Sequence, residues 1–145
     1  MNTTKYVFLD KLTYADVAFE AYGKTLDELF VNAALATSES MVDLSTVQDI
    51  EEKKIIIDSK DRDDLLFTFL EHIVGLKDSD TMVFSSFEVT ITQNNDTFHL
   101  EATCHGDEIN PETQRLHNDV KSVTYHEFKI EQTQGGWKAT IVLDV

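Results

Sequence analysis

The stretch "DVAFEAYGKTLDEL", residues 16–29, carries the chain from a strand into a helix and so decides how the fold begins. In its first half Val17, Phe19 and Ala21 share one face of a period-two pattern, and Asp16 lies on the opposite face. Such alternation is typical of a strand with one buried face. An acidic residue therefore stands where this predicted strand begins.

Two helices are predicted, with a strand between them. A capping box from Thr25 to Glu28 starts the first helix, which is expected to end near Met41. Residues 61–76, "DRDDLLFTFLEHIVGL", carry an apolar stripe at helical spacing, with acids in the first turn where the helix dipole favours them. Residues 45–59, "STVQDIEEKKIIIDS", are predicted to form the strand that joins the two.

The second half of the chain has the pattern of strands. Residues 87–104 alternate on both sides of the turn "NND" at 94–96, which predicts a hairpin. A polar loop from 106 to about 119 leads to two further strand patterns, at 120–131 and 137–145. Helices early and strands late predict an α+β fold with a largely antiparallel second half.

One of these strands, "VKSVTYHEFKIE", breaks its own alternation. Val123 and Tyr125 have odd numbers, whereas Phe128 and Ile130 have even numbers. A strand with a period of two cannot place both pairs on one face unless a residue bulges out between them. We therefore predict a bulge near His126–Glu127; the alternative is that both faces of the strand are buried.

Composition limits the classes of function. The chain has 145 residues, one cysteine and a formal net charge of −15, which favours a single domain without an internal disulfide. It shows neither a signal peptide nor a run of apolar residues long enough for a membrane span, so we expect a cytoplasmic protein without membrane contact. A surface this acidic repels nucleic-acid backbones and favours a basic protein partner.

Common catalytic motifs are absent from the sequence. Cys104 shares its strand face with apolar residues and is expected in the core, and His99 and His105 are too widely spaced for a zinc pair. His126 and Glu127 are interpreted as strand residues. The acids of "DSKDRDDLL" lack calcium-loop spacing and fit a helix N-terminus.

Two isolated acids remain, each at the end of a predicted strand. Asp16 begins one strand, and Asp144 stands next to the terminal carboxylate of Val145. If the two strands share a sheet, these oxygen donors could meet around Ca²⁺ or Mg²⁺. The alternative is that both acids are solvated strand ends. The alternation pattern shows which face of its strand each acid occupies, but it does not show that the two strands are neighbours.

Four blocks of the sequence resemble the archease family. They are "TYADVAFEAYGKTLDELFVNAALA", "DRDDLLFTFLEHIVGL", "VKSVTYHEFKIE" and "GWKATIVLDV", in the family's order and spanning nearly the whole chain. One departure concerns the segment before Asp16, where the family usually has His-Thr-Ala-Asp and this chain has Thr13 in place of the histidine. The family's "TYH" segment, residues 124–126, is intact.

The resemblance implies a fold and a role. Residues 1–145 would form a single archease-like domain with two main helices packed between β-sheets. Archeases assist the RtcB-type tRNA-splicing ligase, promoting its guanylylation and its multiple turnover, and they are also linked to a chaperone-like role for a tRNA methyltransferase. The resemblance therefore implies a protein cofactor of an RNA ligase, contacting it transiently and without binding nucleic acid itself. A metal-dependent hydrolase is a weaker alternative, since no general base is evident.

The resemblance also implies the site residues. The family's metal site maps onto Asp16, Asp144 and Val145, which would hold a divalent cation, with Ca²⁺ favoured over Mg²⁺ or Mn²⁺. Lys121 lies at a position that is usually lysine in the family, and it is a candidate contact for a partner or a phosphate. The alternative for Lys121 is an ordinary strand lysine.

Overall fold

The computed structural model describes residues 4–9 and 16–145. In this part of the chain, strands and helices alternate first and four strands follow in succession. The elements in order are β1 (Tyr6–Leu9), β2 (Asp16–Gly23), α1 (Leu26–Met41), a 3-10 helix (Leu44–Thr46), β3 (Glu51–Ser59), α2 (Arg62–Asp80), β4 (Met82–Asn94), β5 (Thr97–Glu108), β6 (Ser122–Thr133) and β7 (Gly136–Asp144).

The strands form two antiparallel sheets with the helices between them. One sheet has four strands in the order β1-β2-β7-β6, and the other has three in the order β3-β5-β4. Helix α1 contacts β2 and β7 of the first sheet and β4 of the second, and α2 contacts β6 of the first and β3 of the second. The predicted α+β fold, with two main helices packed between sheets and an antiparallel second half, is confirmed.

The core lies where the helices meet each other and both sheets. Phe30 of α1 and Phe69 of α2 stack with ring centroids 6.1 Å apart, and both side chains are fully buried. Phe19 of the four-stranded sheet and Phe84 of the three-stranded sheet are fully buried as well. Burying a side chain of this size contributes about 1.5–3 kcal/mol, so these four rings are central to holding the layers together.

Helix α1 matches its prediction. The N–H of Glu28 donates to Oγ1 of Thr25 at 3.1 Å, as an N-cap requires, and the helix ends at Met41. The carboxylate of Glu28 accepts from the N–H of Lys24 at 3.1 Å, one residue earlier than a capping box would place that bond.

Helix α2 is longer than predicted, because it continues through Gly75 to Asp80. Gly75 is exposed, and a glycine inside a helix costs only about 0.5–1 kcal/mol relative to alanine, which the packing beyond it offsets. Lys77, two residues later, is only 8% exposed. The helix ends where Thr81 adopts a left-handed conformation, with φ of 52°. Within the described residues, neither helix has the length and apolar character needed to cross a bilayer.

The strands differ from the sequence prediction in several bounds and in one additional strand. Strand β3 begins at Glu51 rather than at residue 45, because the carboxylate of Asp43 accepts from the N–H of Ser45 and caps a 3-10 helix there. Strand β5 continues to Glu108, past the predicted start of the loop. Strand β1 was not predicted; it is short and lies at the edge of its sheet.

The predicted bulge in β6 is confirmed and is larger than a single residue. Thr124 pairs with Val142 and Lys129 with Thr140, so four residues of β6 lie opposite one residue of β7. Glu127 within it has φ of 54°. Tyr125, His126 and Glu127 are exposed, so the alternative of two buried faces is wrong.

Candidate functional site

The first residue of β2 lies directly opposite the last residue of β7. Asp16 pairs with Asp144 in an antiparallel register that continues without interruption to Gly23 and Trp137. Opposite residues of an antiparallel pair point to the same side of the sheet, with Cβ atoms about 4.5–5.5 Å apart. The structure therefore brings together the two acids that are 128 positions apart in the sequence.

Both acids lie on the sheet face that points away from the helices. Their chain neighbours Val17 and Leu143 belong to the buried core, and side chains alternate between faces along a strand. Asp16 and Asp144 are each partly exposed, and Val145 packs partly against the core. The corner thus combines two facing carboxylates with Val145, the residue that follows Asp144.

The donors at this corner suit a hard divalent cation. Like charges directly opposite each other on a sheet are destabilising, and a bound cation would remove that repulsion. Oxygen donors are what Ca²⁺ and Mg²⁺ prefer, and Ca²⁺ tolerates an irregular shell. Within residues 4–9 and 16–145, no three Asp, Glu, His or Cys side chains form a metal-binding cluster, so further donors to a cation would have to be main-chain oxygens or water. Thr13, which replaces the family histidine, lies outside the described residues.

The strand on the other side of β7 brings Lys121 to the same corner. Ser122, the first residue of β6, pairs with Asp144, and the N–H of Lys121 donates to the carbonyl oxygen of Asp144 at 2.8 Å. The Lys121 side chain is exposed. Lys121 also helps to hold the pKa of Asp119 below its usual range, after the larger effect of Lys77. The structure therefore places Lys121 beside the candidate cation site.

Helix α2 anchors the segment that carries Lys121. The ammonium group of Lys77 donates to the carboxylate of Asp119 and to the carbonyl oxygen of Val120, the latter at 2.6 Å. Two turns earlier, the carboxylate of Glu71 accepts from the N–H of Val123 at 2.5 Å. The segment is thus held on both sides of Lys121. Sequence reasoning missed this arrangement, because a lone lysine and a lone glutamate on a helix give no signal of such long-range contacts.

The other residues considered for chemistry have structural surroundings. Cys104 is fully buried, and burial raises the pKa of its thiol to about 12, as expected for a core cysteine. A hydrogen bond to Asp58 raises the pKa of His99, and one to Glu88 raises the pKa of His105. The acids after residue 60 begin α2, where Asp61 is the N-cap.

The sequence matches the model of the Archease protein family over residues 6–145. The chain belongs to the archease family. Protein archease from Methanothermobacter thermautotrophicus is 40% identical to this archease over 131 residues, which are 90% of this chain and 93% of that protein. Protein archease from Methanosarcina mazei is 34% identical over 142 residues, which are 97% of this chain and 96% of that protein.

Solved structures agree with the fold of this archease. The solution structure of Methanobacterium thermoautotrophicum protein 1598 superposes with a TM-score of 0.85 at 39% identity, covering 97% of this chain and 99% of the other. A crystal structure from Thermotoga maritima, described as an archease and possible chaperone, has a TM-score of 0.62 at 20% identity, covering 92% and 93% of the two chains. At that identity the second likeness shows the fold alone.

Proposed function

We propose that this archease is a protein cofactor that activates an RtcB-type RNA ligase, promoting guanylylation and repeated turnover of that enzyme. The observation that carries the proposal is the direct pairing of Asp16 with Asp144 beside Lys121, in a chain that belongs to the archease family. A cluster of this kind combines a candidate cation site with an exposed cationic side chain.

Each residue has a distinct role in this proposal. Asp16, Asp144 and the carboxylate of Val145 hold a divalent cation, with Ca²⁺ favoured over Mg²⁺ or Mn²⁺. The cation would neutralise the facing carboxylates and tie the chain end to β2. Lys121 then offers its ammonium group to a phosphate or an acidic residue of the complex. The net charge of −15 supports docking on a basic RNA-binding enzyme, without direct contact with RNA.

The test is stimulation of the cognate ligase by a trace of this archease, in the presence of GTP and Mn²⁺. We expect guanylylation and multiple turnover at substoichiometric amounts, and their loss in Asp16→Ala and Asp144→Ala variants whose circular dichroism is unchanged. Glu112→Gln is the matched control, because Glu112 is an exposed acid of the loop before β6. No stimulation at any ratio contradicts the proposal. Stimulation by the aspartate variants equal to that by the wild type would show that the corner of Asp16 and Asp144 is not needed for activation.

A second candidate function is chaperone-like protection of a tRNA methyltransferase. It is favoured by exposed apolar residues on the edge strand β1, where Val7, Phe8 and Leu9 are 42%, 40% and 38% exposed. Stoichiometry separates the two functions, since a holding chaperone must match its client in amount whereas an activator acts in trace. Light scattering of the heated methyltransferase at increasing ratios of this archease measures that difference.

A further inference from the structure

An aromatic cluster surrounds the bulge of β6, and we refer to Tyr125, Phe67 and Phe128 as the aromatic platform. The rings of Tyr125 and Phe67 stack in parallel, with centroids 3.8 Å apart and an angle of 2° between their planes. Phe128 meets Phe67 edge-on at 5.5 Å. Tyr125 is the outermost ring, since 70% of its surface is exposed. One face of Tyr125 is therefore covered by Phe67, which leaves the other as the face a ligand could stack on.

Acidic residues lie beside the aromatic platform. An open depression of about 480 Å³ is lined by Tyr125 and Phe128 together with the first turn of α2, which contributes Asp61, Asp63 and Asp64. Partial burial and the nearby charge of Asp61 raise the pKa of Asp63 above its usual range. The like charges of Asp61 and Asp63 thus repel each other, and a cation would reduce that repulsion.

One cation already lies in this region. The guanidinium of Arg62 lies 4.8 Å from the ring centroid of Trp137, an arrangement typical of cation–π contacts. Arg62 also lines the depression, so its one positive charge offsets only part of the three carboxylates. The ring that Arg62 covers is thus Trp137, which is not among the residues that line the depression.

The needs of the fold account for Phe67 and Phe128, which pack against the core, but not for the exposed Tyr125. A bulge protects an edge strand from pairing with other chains, and β6 is an edge strand. That protection requires extra residues but does not require a large aromatic side chain that stays mostly in water. The bulge also holds Glu127 at positive φ, which is uncommon for a residue other than glycine. Strained backbone of this kind is often found where a side chain is positioned for binding.

We propose that the aromatic platform and the first turn of α2 form a docking site for a cationic, arginine-bearing segment of a partner protein. An arginine would stack its guanidinium on the open face of Tyr125 and pair with the carboxylate of Asp63 or Asp64. Arginine suits this geometry better than lysine, because its planar group stacks on rings and binds carboxylates through two parallel N–H groups. A second copy of this acidic chain is a poor occupant, since 27 acidic residues face only 12 basic ones.

The docking site and the corner formed by Asp16 and Asp144 share strand β6 but lie on opposite sides of the sheet, since Tyr125 stacks on α2 and the two aspartates point away from the helices. Tyr125 follows Ser122, the partner of Asp144, by three residues along β6, which is roughly 10 Å at the usual rise of a strand. The assignment of the partner protein as the ligase rests on the proposed function, whereas binding of an arginine segment does not.

The experiment measures binding of a fluorescein-labelled peptide of alternating arginine and glycine by anisotropy at 0.15 M salt, where diffuse attraction is screened. We expect Tyr125→Ala to weaken binding about fivefold or more and Tyr125→Phe to retain it within about twofold. Asp63→Asn should weaken it about threefold. A matched lysine peptide should bind less tightly than the arginine peptide. Circular dichroism and thermal unfolding confirm that each variant is folded, as the exposure of Tyr125 favours.

Two control variants separate a site from general charge attraction. Ile56→Ala alters an apolar residue that is 62% exposed on the three-stranded sheet, and Glu112→Gln removes an exposed acid elsewhere; both should bind as the wild type does. Unchanged binding by Tyr125→Ala overturns the proposal, and so does an equal loss in Glu112→Gln and Asp63→Asn. The assay contains no ligase, so peptide binding without ligase stimulation contradicts only the proposed function, and stimulation without peptide binding contradicts only the docking site.

Discussion

On the outer face of the three-stranded sheet, charged residues face residues of opposite charge: Nδ1 of His99 lies 2.7 Å from a carboxylate oxygen of Asp58, and Nε2 of His105 lies 3.1 Å from one of Glu88. At one end of the four-stranded sheet, by contrast, two aspartates face each other in the ladder. The first surface satisfies its charges within itself. The second places two like charges opposite each other, and a bound cation would reduce their repulsion.

The two sheets also differ in the regularity of the hydrogen-bonded pairing between their strands. Strands β3 and β5 pair without interruption from Glu51–Gly106 to Ser59–Phe98. Strands β6 and β7 are interrupted by the bulge that presents Tyr125 to solvent. The three-stranded sheet has only a smaller shift of register, between Phe84 and Ser86 of β4, whereas the bulge of β6 places four residues opposite one. The comparison therefore directs experiments on binding to the four-stranded sheet and experiments on stability to the three-stranded one.

The largest effect is expected for Gly106→Ala, in the three-stranded sheet. A Cβ at Gly106 would lie 1.9 Å from the carbonyl oxygen of Val83 and 2.7 Å from Cα of Phe84. Because backbone must move to admit it, we expect the free energy of unfolding in urea to fall by about 3 kcal/mol. Gly75→Ala is the control: its Cβ meets nothing within 4 Å, so helix propensity should stabilise the protein by about 0.5–1 kcal/mol. If the free energy of unfolding falls by less than about 1 kcal/mol in Gly106→Ala, the backbones of β4 and β5 can move apart at little cost.

The next effect is stabilisation by calcium, which tests the four-stranded sheet. Free Ca²⁺ at a hundredfold excess over its Kd should raise the free energy of unfolding by about 2.7 kcal/mol. Asp144→Asn should abolish most of that gain. In chelator the same variant should be as stable as the wild type or slightly more so, because one of two facing charges is gone.

Glu112→Gln serves as the control for this measurement, and it should respond to Ca²⁺ as the wild type does. Equal stabilisation of the wild type and Asp144→Asn would place any calcium binding away from this corner. The metal-free measurement has separate value, since a large loss of stability in chelator would mean that Asp144 has a structural role.

The smallest effect concerns the two histidines of the three-stranded sheet. Their pKa values are raised in the folded protein by Asp58 and Glu88, so the stability they contribute is fully present below the unfolded pKa of about 6.5. That contribution is lost as pH rises through the folded pKa values. Urea unfolding from pH 5.5 to 8.5 should therefore show a decline that His99→Gln with His105→Gln flattens. An unchanged profile in the double variant would assign the decline to other groups.

Local pattern predicted much of this fold. Alternating apolar residues predicted β2 and β7, and helical spacing predicted α1 and α2. The change from odd-numbered to even-numbered apolar positions between Tyr125 and Phe128 indicated the bulge. These features were readable because each depends on residues within a few positions of one another. The apolar stripe that ends at Leu76 predicted too short a helix α2, because the buried Lys77 beyond it gives no apolar signal.

The candidate site was predictable only in part. The resemblance indicated Asp16, Asp144, Val145 and Lys121, but periodicity alone left the two acids as separate strand ends. No pattern in the sequence indicated that Glu71 and Lys77 hold the segment that carries Lys121. Nor did any pattern indicate the stacking of Tyr125 on Phe67, which joins residues 58 positions apart.

Apart from β1 and the 3-10 helix, the sequence by itself determined the types of element and their order, the acidic surface and the buried side of the regularly alternating strands, because these follow from neighbouring residues and their periodicity. Only the tertiary structure decided that Asp16 lies opposite Asp144 and that α2 anchors the start of β6. It also decided that an exposed tyrosine lies beside the acids of a helix N-terminus. Such proximity depends on strand register and helix packing, which are settled by the assembled core and not by any single stretch of the chain.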